Sequence, residues 1–344
     1  MRRKQRDIDK IEMLRLLDAF ARNRGWSITD SVNKSELVEA LTHIISQRPQ
    51  ENLVHGLRVE SMFAYVVGAI GACRIIKQED AGDLFSKYPE FIVPDFYLVT
   101  SSGEEYLIEV KNCHRANITD FEYRLTARYY NQISAYADAR GLDLKIAIYW
   151  SRLQIWTLLP INAFEKKGNY FSLPMEQCVK RDEMSLLGDV IIATVPPLEL
   201  RILFDQKNQK TIEASSKIMA TCSGIELWCG GRRVTDPYEN KLAWFLLLFG
   251  HWPANKPEYK FSNGKLISIN FMVSQKKSAG HNFAVIGRLS EMISRQYNEL
   301  TAPDGQIKKI SPSQDPDDLG IMIPADYMGE IVHLWRFELK PNYD

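Results

Sequence analysis

Two apolar runs, Phe91–Thr100 and Glu105–Val110, alternate Val, Phe, Tyr, Leu and Ile with polar residues on either side of Ser101-Ser102-Gly103. That period of two around a small polar turn predicts a β-hairpin. Upstream, apolar side chains at Ile8, Ile11, Leu14, Leu16, Leu17, Phe20 and Ala21 follow helical spacing, so a helix is expected over Asp7–Arg24, stopped by Gly25. A second helix is expected from Ser35, a suitable N-cap, to Ile45, and a third from about Glu51 to Gly71. After the hairpin the pattern predicts a long helix over Asp120–Arg140 and a strand over Leu144–Trp150. Helix, strand, strand, helix, strand reads as an α/β sandwich.

Beyond Pro160 the pattern changes. Asn162–Lys180 is irregular, and short strands are expected at Asp189–Val195 and Leu198–Phe204 around Pro196-Pro197. The polar Lys207-Asn208-Gln209-Lys210 suggests a linker, dividing the chain into an N-terminal helical extension (1–50), a central domain (51–205) and an α+β C-terminal domain (215–344). The last part is expected to hold a helix at Glu239–Phe249, strands near Leu266–Val273, a helix at Phe283–Leu300 and a strand at Ile331–Glu338. Thr301–Leu319, rich in Pro, Asp and Gly, reads as a mobile excursion. One reading of these C-terminal helices is winged-helix-like, with the second presenting Arg288, Ser294, Arg295, Gln296 and Asn298 to DNA and the Lys308–Ile323 region forming the wing. Dimerisation or binding of a partner protein through this part is the competing reading.

Composition narrows the class. At 344 residues, 45% hydrophobic and 25% charged, the chain is an ordinary globular protein, and its net charge of +0 gives no global basic field. Its five cysteines lack any C-x-x-C pair, which argues against a zinc ribbon or a disulfide framework and fits a reducing cytoplasm. Met1–Asp7 reads M-R-R-K-Q-R-D with no apolar segment behind it, so no signal peptide is expected, and the longest apolar run, Ala243–Gly250, is too short to cross a bilayer. Cytoplasmic location without a membrane partner is therefore the expectation.

The candidate chemistry lies in the hairpin. Asp95 opens the first strand, while Glu109 and Lys111, two apart on the second, project from one face. An apolar strand ending in an acid beside a base is what a divalent-metal site needs if it also holds a cation against a phosphate. One or two carboxylates suffice for Mg²⁺, which prefers hard oxygen ligands and keeps several waters. Asp95 and Glu109 can converge on one ion, with the Val110 carbonyl as a third oxygen and Glu60 completing the shell. Lys111 would then orient the attacking water or neutralise the phosphate.

Pro94-Asp95 followed fourteen positions later by Glu109-Val110-Lys111 resembles the signature of the PD-(D/E)xK nuclease superfamily. Glu60, in R-V-E-S-M-F, stands where that family carries a helical glutamate ahead of the hairpin. Gln132-Ile133-Ser134-Ala135-Tyr136 matches the Q-x-x-x-Y motif of its RecB-like members. The resemblance covers roughly residues 50–150. It implies a restriction-endonuclease-like core, a central mixed sheet flanked by helices, and a nuclease acting on DNA with Mg²⁺, for which Mn²⁺ would substitute. It also implies catalytic roles for Glu60, Asp95, Glu109, Lys111, Gln132 and Tyr136, and a place in restriction, anti-phage defence or repair. Some RecB-like enzymes ligate metal through a histidine in the region of His55, but five residues of helix offset it from Glu60, so His55 is expected to be structural. The iron–sulfur cluster of other members is excluded, because Cys113 alone cannot hold one. Arg124 and Arg128, beside Tyr129 and Tyr130, are expected to meet the nucleic acid, with Arg288 and Arg295 as C-terminal counterparts. A catalytically silent nucleic-acid-binding or assembly subunit that keeps the fold is the alternative.

Overall fold

The computed structural model describes residues 51–344 apart from 82–83, 88–89, 116–120, 208, 213–216, 254, 276–279, 322 and 325, together with 1–3 and isolated positions before 51. The helices expected over Asp7–Arg24 and Ser35–Ile45 lie outside the described residues.

The first described element is helix α1 (Glu51–Ile70). Val59, Met62, Phe63, Val66 and Val67 recur at helical spacing and are buried. Gly71 ends the helix at φ +82°, a conformation a side chain would strain, with its N–H on the Val67 carbonyl at 3.1 Å. Strands β1 (Cys73–Gln78), β2 (Phe96–Thr100) and β3 (Glu105–Cys113) follow, and β2–β3 is the expected hairpin. β1 was not expected; its short C-R-I-I-K-Q run lacks clean alternation. The helix expected over Asp120–Arg140 divides into strand β4 (Glu122–Thr126) and helix α2 (Ala127–Arg140). Thr126 caps that helix by accepting the Tyr129 N–H, which fixes its start. Strands β5 (Asp143–Trp150) and β6 (Ile155–Pro160) complete a mixed sheet of order β1-β2-β3-β5-β6, in which β3 and β5 run parallel and the other pairs antiparallel.

The two faces of this sheet have different covers. Phe96, Leu98, Tyr106, Ile108 and Val110 pack with α1 residues, while Leu107 packs with Ile133 and Tyr136 of α2. Both faces of β3 are therefore buried, which explains its near-continuous apolar run. Met62 and Phe63 of α1 and Trp156 of the adjoining sheet are wholly buried, each side chain contributing on the order of 1.5–3 kcal/mol. Leu53–Ile70 of α1 is long and apolar enough to cross a membrane by composition, but half of that window is buried inside this core.

The region expected to be irregular forms β7 (Glu165–Lys167), β8 (Tyr170–Pro174) and the short helix α3 (Met175–Lys180), with β7 and β4 flanking β8. Next come β9 (Ile191–Thr194), β10 (Leu198–Phe204), β11 (Lys210–Ile212), β12 (Lys217–Met219), β13 (Cys222–Cys229), β14 (Arg232–Arg233) and helix α4 (Pro237–Phe249). Strands β15 (Glu258–Ser262) and β16 (Lys265–Val273) join β10, β13 and β14 in a five-stranded antiparallel sheet. The helix expected over Phe283–Leu300 begins as strand β17 (Ala284–Arg288), which pairs with β9 opposite β18 (Leu334–Phe337); only Leu289–Thr301 is helix α5.

Helix α5 does not have the free polar surface of a recognition helix. Leu289, Met292, Ile293 and Tyr297 join the same buried cluster as α1, and Trp156 donates to the Ser294 hydroxyl at 3.0 Å. The polar residues expected to face DNA are committed to the protein. Arg288 pairs with Asp182 at 2.5 Å and Asp189 at 3.3 Å. Arg295 binds Glu291, the Phe249 carbonyl at 2.9 Å and Gln154 at 3.0 Å. Gln296 accepts the Gly320 N–H. The Lys308–Ile323 region, expected to form a wing, has no strand among its described residues. Nor is Thr301–Leu319 a free excursion: Tyr65 donates to the carbonyls of Pro312 and Gln314 at 3.2 and 3.1 Å, and Tyr297 donates to that of Ile310.

Candidate active site at the end of the hairpin

Phe96 pairs with Ile108, so Asp95, one residue earlier, is level with Glu109 on the neighbouring strand. The Val110 N–H donates to Asp95 Oδ2 at 2.6 Å, locking the first acid to the second strand. Tyr97 and Leu107 pack toward α2, and the alternation of the strands puts Asp95, Glu109 and Lys111 on that same face. Glu109 is 4% exposed. Its Oε1 accepts from the Lys111 ammonium and from the Tyr129 hydroxyl, and Lys111 also donates to the Tyr129 oxygen at 2.8 Å. Acid, base and phenol thus form one hydrogen-bonded triangle, with Lys111 4.6 Å from the centre of the Tyr129 ring.

The ionisation of the group is strained. Burial and the nearby Glu109 carboxylate push Asp95 up to about 8, with Glu60 adding to the effect and the Val110 N–H and Lys111 opposing it. Burial also raises Glu60, with Asp80 and Glu109 contributing. The structure therefore brings Glu60, Asp95, Glu109 and Lys111 close enough to act on one another's charge. Burial and Glu109 push the Tyr129 phenol upward, leaving it a neutral donor at ordinary pH.

Does this donor set fit a divalent cation? Glu109 Oε2 is buried and has no hydrogen-bond partner, an expensive arrangement for a carboxylate oxygen. Ionising all three acids, with only one lysine among them, would leave negative charge uncompensated. A cation satisfies both. Among the described residues, no three His, Cys, Asp or Glu side chains stand close enough to enclose an ion alone. A hard cation that keeps most of its waters does not require that, because two carboxylates suffice. The residues fit such an ion.

Val110, Lys111, Asn112, Cys113, His114 and Arg115, at the C-terminal end of β3, line a cleft of about 1810 Å³. Glu60, His55 and Arg58 of α1 form another wall, Tyr123 and Arg124 of β4 a third, and Asn298 with Ala302 at the end of α5 the fourth. Asp95 and Glu109 are not among these lining residues, but Val110 and Lys111, which are, hydrogen-bond to them. His55 is exposed and lines the cleft, but no contact joins it to the carboxylates.

The remaining expected residues separate. Tyr136 does not reach the carboxylates: its hydroxyl donates to Glu79 Oε1 at 2.9 Å, and Glu79 also pairs with Arg140. Gln132 is half-buried, and its backbone carbonyl accepts the Ile92 N–H at 3.4 Å. Tyr129, one turn earlier on the same stripe of α2, occupies the position expected for this pair. Arg124 lies on β4 rather than on a helix; it lines the cleft, pairs with Glu122 at 3.2 Å and covers the Tyr170 ring at 5.4 Å. Arg128 is exposed outside the cleft. Arg288 and Arg295 are partly buried and do not line the cleft, and their charges are spent on Asp182, Asp189 and Glu291. Sequence reasoning missed Tyr129 as a partner of Glu109 and Lys111. Helical spacing from Tyr136 back to Tyr129 was the available signal.

No protein-family model and no curated protein matches the chain. Among solved structures it is similar to a Holliday junction resolvase, Hjc from Archaeoglobus fulgidus, at 20% identity and a TM-score of 0.28. That likeness covers 35% of this chain and 89% of the resolvase. A TM-score of 0.28 assigns neither fold nor activity.

Proposed function

We propose that this protein is a divalent-metal-dependent nuclease that hydrolyses phosphodiester bonds of DNA. The observation that supports it most is the buried, unpartnered Glu109 Oε2 beside an Asp95 held level with it, with Lys111 opening onto a cleft. Asp95 and Glu109, with Glu60 near, would hold the cation, and the family pattern of these residues points to Mg²⁺ with Mn²⁺ as a substitute. Such a cation supplies positive charge to a phosphoryl oxygen and makes water a nucleophile near neutral pH.

The chain's own residues do the rest. Lys111 presents an ammonium group where charge builds on the phosphate. Tyr129 holds both Lys111 and Glu109 in place, donating to one and accepting from the other. The Val110 N–H keeps Asp95 aimed toward Glu109. Arg115 and Arg124, lining the cleft, offer cations to the backbone of a polymer. The single set of acids per chain would favour two copies acting together on a duplex. The resemblance to a family rich in restriction enzymes makes defence against foreign DNA the most economical role, and a reducing cytoplasm its setting.

The test is cleavage of plasmid and single-stranded DNA with Mg²⁺ or Mn²⁺, with EDTA as control. Wild type is expected to cut only with metal, and Asp95→Ala and Lys111→Ala to lose at least 100-fold in rate. Equal cutting by wild type and both variants would refute the proposal, and uncut DNA under every condition would favour a silent binding subunit.

A further inference from the structure

Arg58 is 7% exposed, yet among the described residues it has no carboxylate partner. Its Nε donates to the Thr301 hydroxyl at 3.0 Å and its Nη2 to the Asn298 side-chain Oδ1 at 2.5 Å. Both partners are neutral. Its guanidinium lies 5.6 Å from the centre of the Tyr297 ring. Burial pulls its ionisation below the ordinary arginine range, and the groups that oppose this are the phenols of Tyr297 and Tyr149, not an acid. Partly buried arginines elsewhere in the chain behave differently: Arg288 has Asp182 and Asp189, and Arg201 has Glu199 at 2.7 Å.

A structural explanation covers only part of this. Thr301 and Asn298 belong to the last turn of α5, whose C-terminal end carries a partial negative charge of roughly half a unit. That leaves much of a full positive charge unmatched in a desolvated place, which is costly unless an anion arrives. The guanidinium also lines the cleft, as do Asn298, Tyr149 and Glu60, the last only two residues along α1. No hydrogen bond occupies its Nη1 among the described residues, so the fork still has donors to offer. Planar guanidinium matches phosphate bidentately.

We infer that Arg58, oriented by Asn298 and Thr301, is a phosphate-binding subsite that takes a backbone phosphate flanking the one at the hairpin acids. The identification of the anion as a nucleic-acid backbone rests on the nuclease reading; the existence of an anion site does not. Helix α5 thereby acts in substrate binding through the arginine it positions rather than through its own face.

The test is binding of a fluorescein-labelled 20-base-pair duplex in EDTA, where nothing is cut, over a series of salt concentrations from about 50 mM upward. Arg58→Met is expected to weaken binding about tenfold and to lower the slope of log K against log salt by about one. Asn298→Asp places a carboxylate beside the guanidinium with little change of volume. It is expected to weaken binding similarly while raising the melting temperature, a combination that misfolding cannot produce. Unchanged binding in Asn298→Asp with a raised melting temperature would make Arg58 purely structural and overturn the inference, as would wild type that fails to bind at the lowest salt. A site for free phosphate would show an Arg58-dependent affinity for inorganic phosphate with an unaltered salt slope for DNA, and that too would overturn it. Metal-dependent cutting by wild type together with wild-type binding by both variants defeats this inference and leaves the nuclease reading. Arg58-dependent binding with no cutting does the reverse.

Discussion

Tyr129 joins Glu109 and Lys111 through one oxygen atom, so its hydroxyl can be removed without disturbing the core that holds its ring. Tyr129→Phe is expected to fold normally, bind DNA with unchanged affinity and cut 10- to 100-fold more slowly, the loss typical of a group that orients a metal ligand. Single-turnover kinetics beside an equilibrium binding curve would separate the two effects. Asp95 makes a different demand. With its carboxyl pushed up to about 8 in the metal-free fold and near 4 when unfolded, the native state holds a proton that the unfolded chain has released over that window. Its contribution to stability is fully present below about pH 4 and is lost as pH rises through about 8. Thermal melts in EDTA should therefore show wild type losing stability between pH 5 and 8 relative to Asp95→Asn, which carries no such proton. Parallel melting curves across that range would contradict this account of the acid.

Among the elements, the hairpin was the most legible, because alternation of Val, Tyr, Leu and Ile around Ser-Ser-Gly has one reading. Elements that change type without a break were not. Glu122–Thr126 runs directly into α2 with no glycine or proline at the junction, and Ala284–Arg288 runs directly into α5 with only Gly287 just before it. The apolar positions of each strand continue the stripe of the helix behind it, so each pair reads as one helix. The role of α5 was illegible for a further reason: the partners that remove Arg288 from the surface lie 106 and 99 residues away, at Asp182 and Asp189. Loss of a buried ionic partner costs about 3–5 kcal/mol, so Arg288→Met is expected to lower the melting temperature sharply at pH 8. Burial already raises Asp182 and Asp189. Without Arg288 they would take up protons more readily, so the penalty should shrink toward pH 5. A variant that melts like wild type but binds DNA less well would restore the recognition-helix reading.

At the scale of the molecule, one buried cluster runs from Val59 on α1 through Trp156 and Leu198 to Tyr297 and Val332, so the hairpin and α5 share a core despite a separation of nearly two hundred residues. The cleft inherits that arrangement, with Val110 and Lys111 from β3, an arginine from α1 and its polar supports from α5. The proximity of Glu60, Asp95, Glu109 and Lys111 was readable because their spacing belongs to one hairpin and one helix. Arg58 was not, since what sets it apart is a missing counter-charge that only the folded chain displays. The central claim is that Asp95 and Glu109 together hold a divalent cation. Calorimetric titration of Mn²⁺ into the metal-free protein tests it most directly. Saturable binding to wild type that vanishes in both Asp95→Asn and Glu109→Gln is the predicted result; either variant binding Mn²⁺ as wild type does would contradict it.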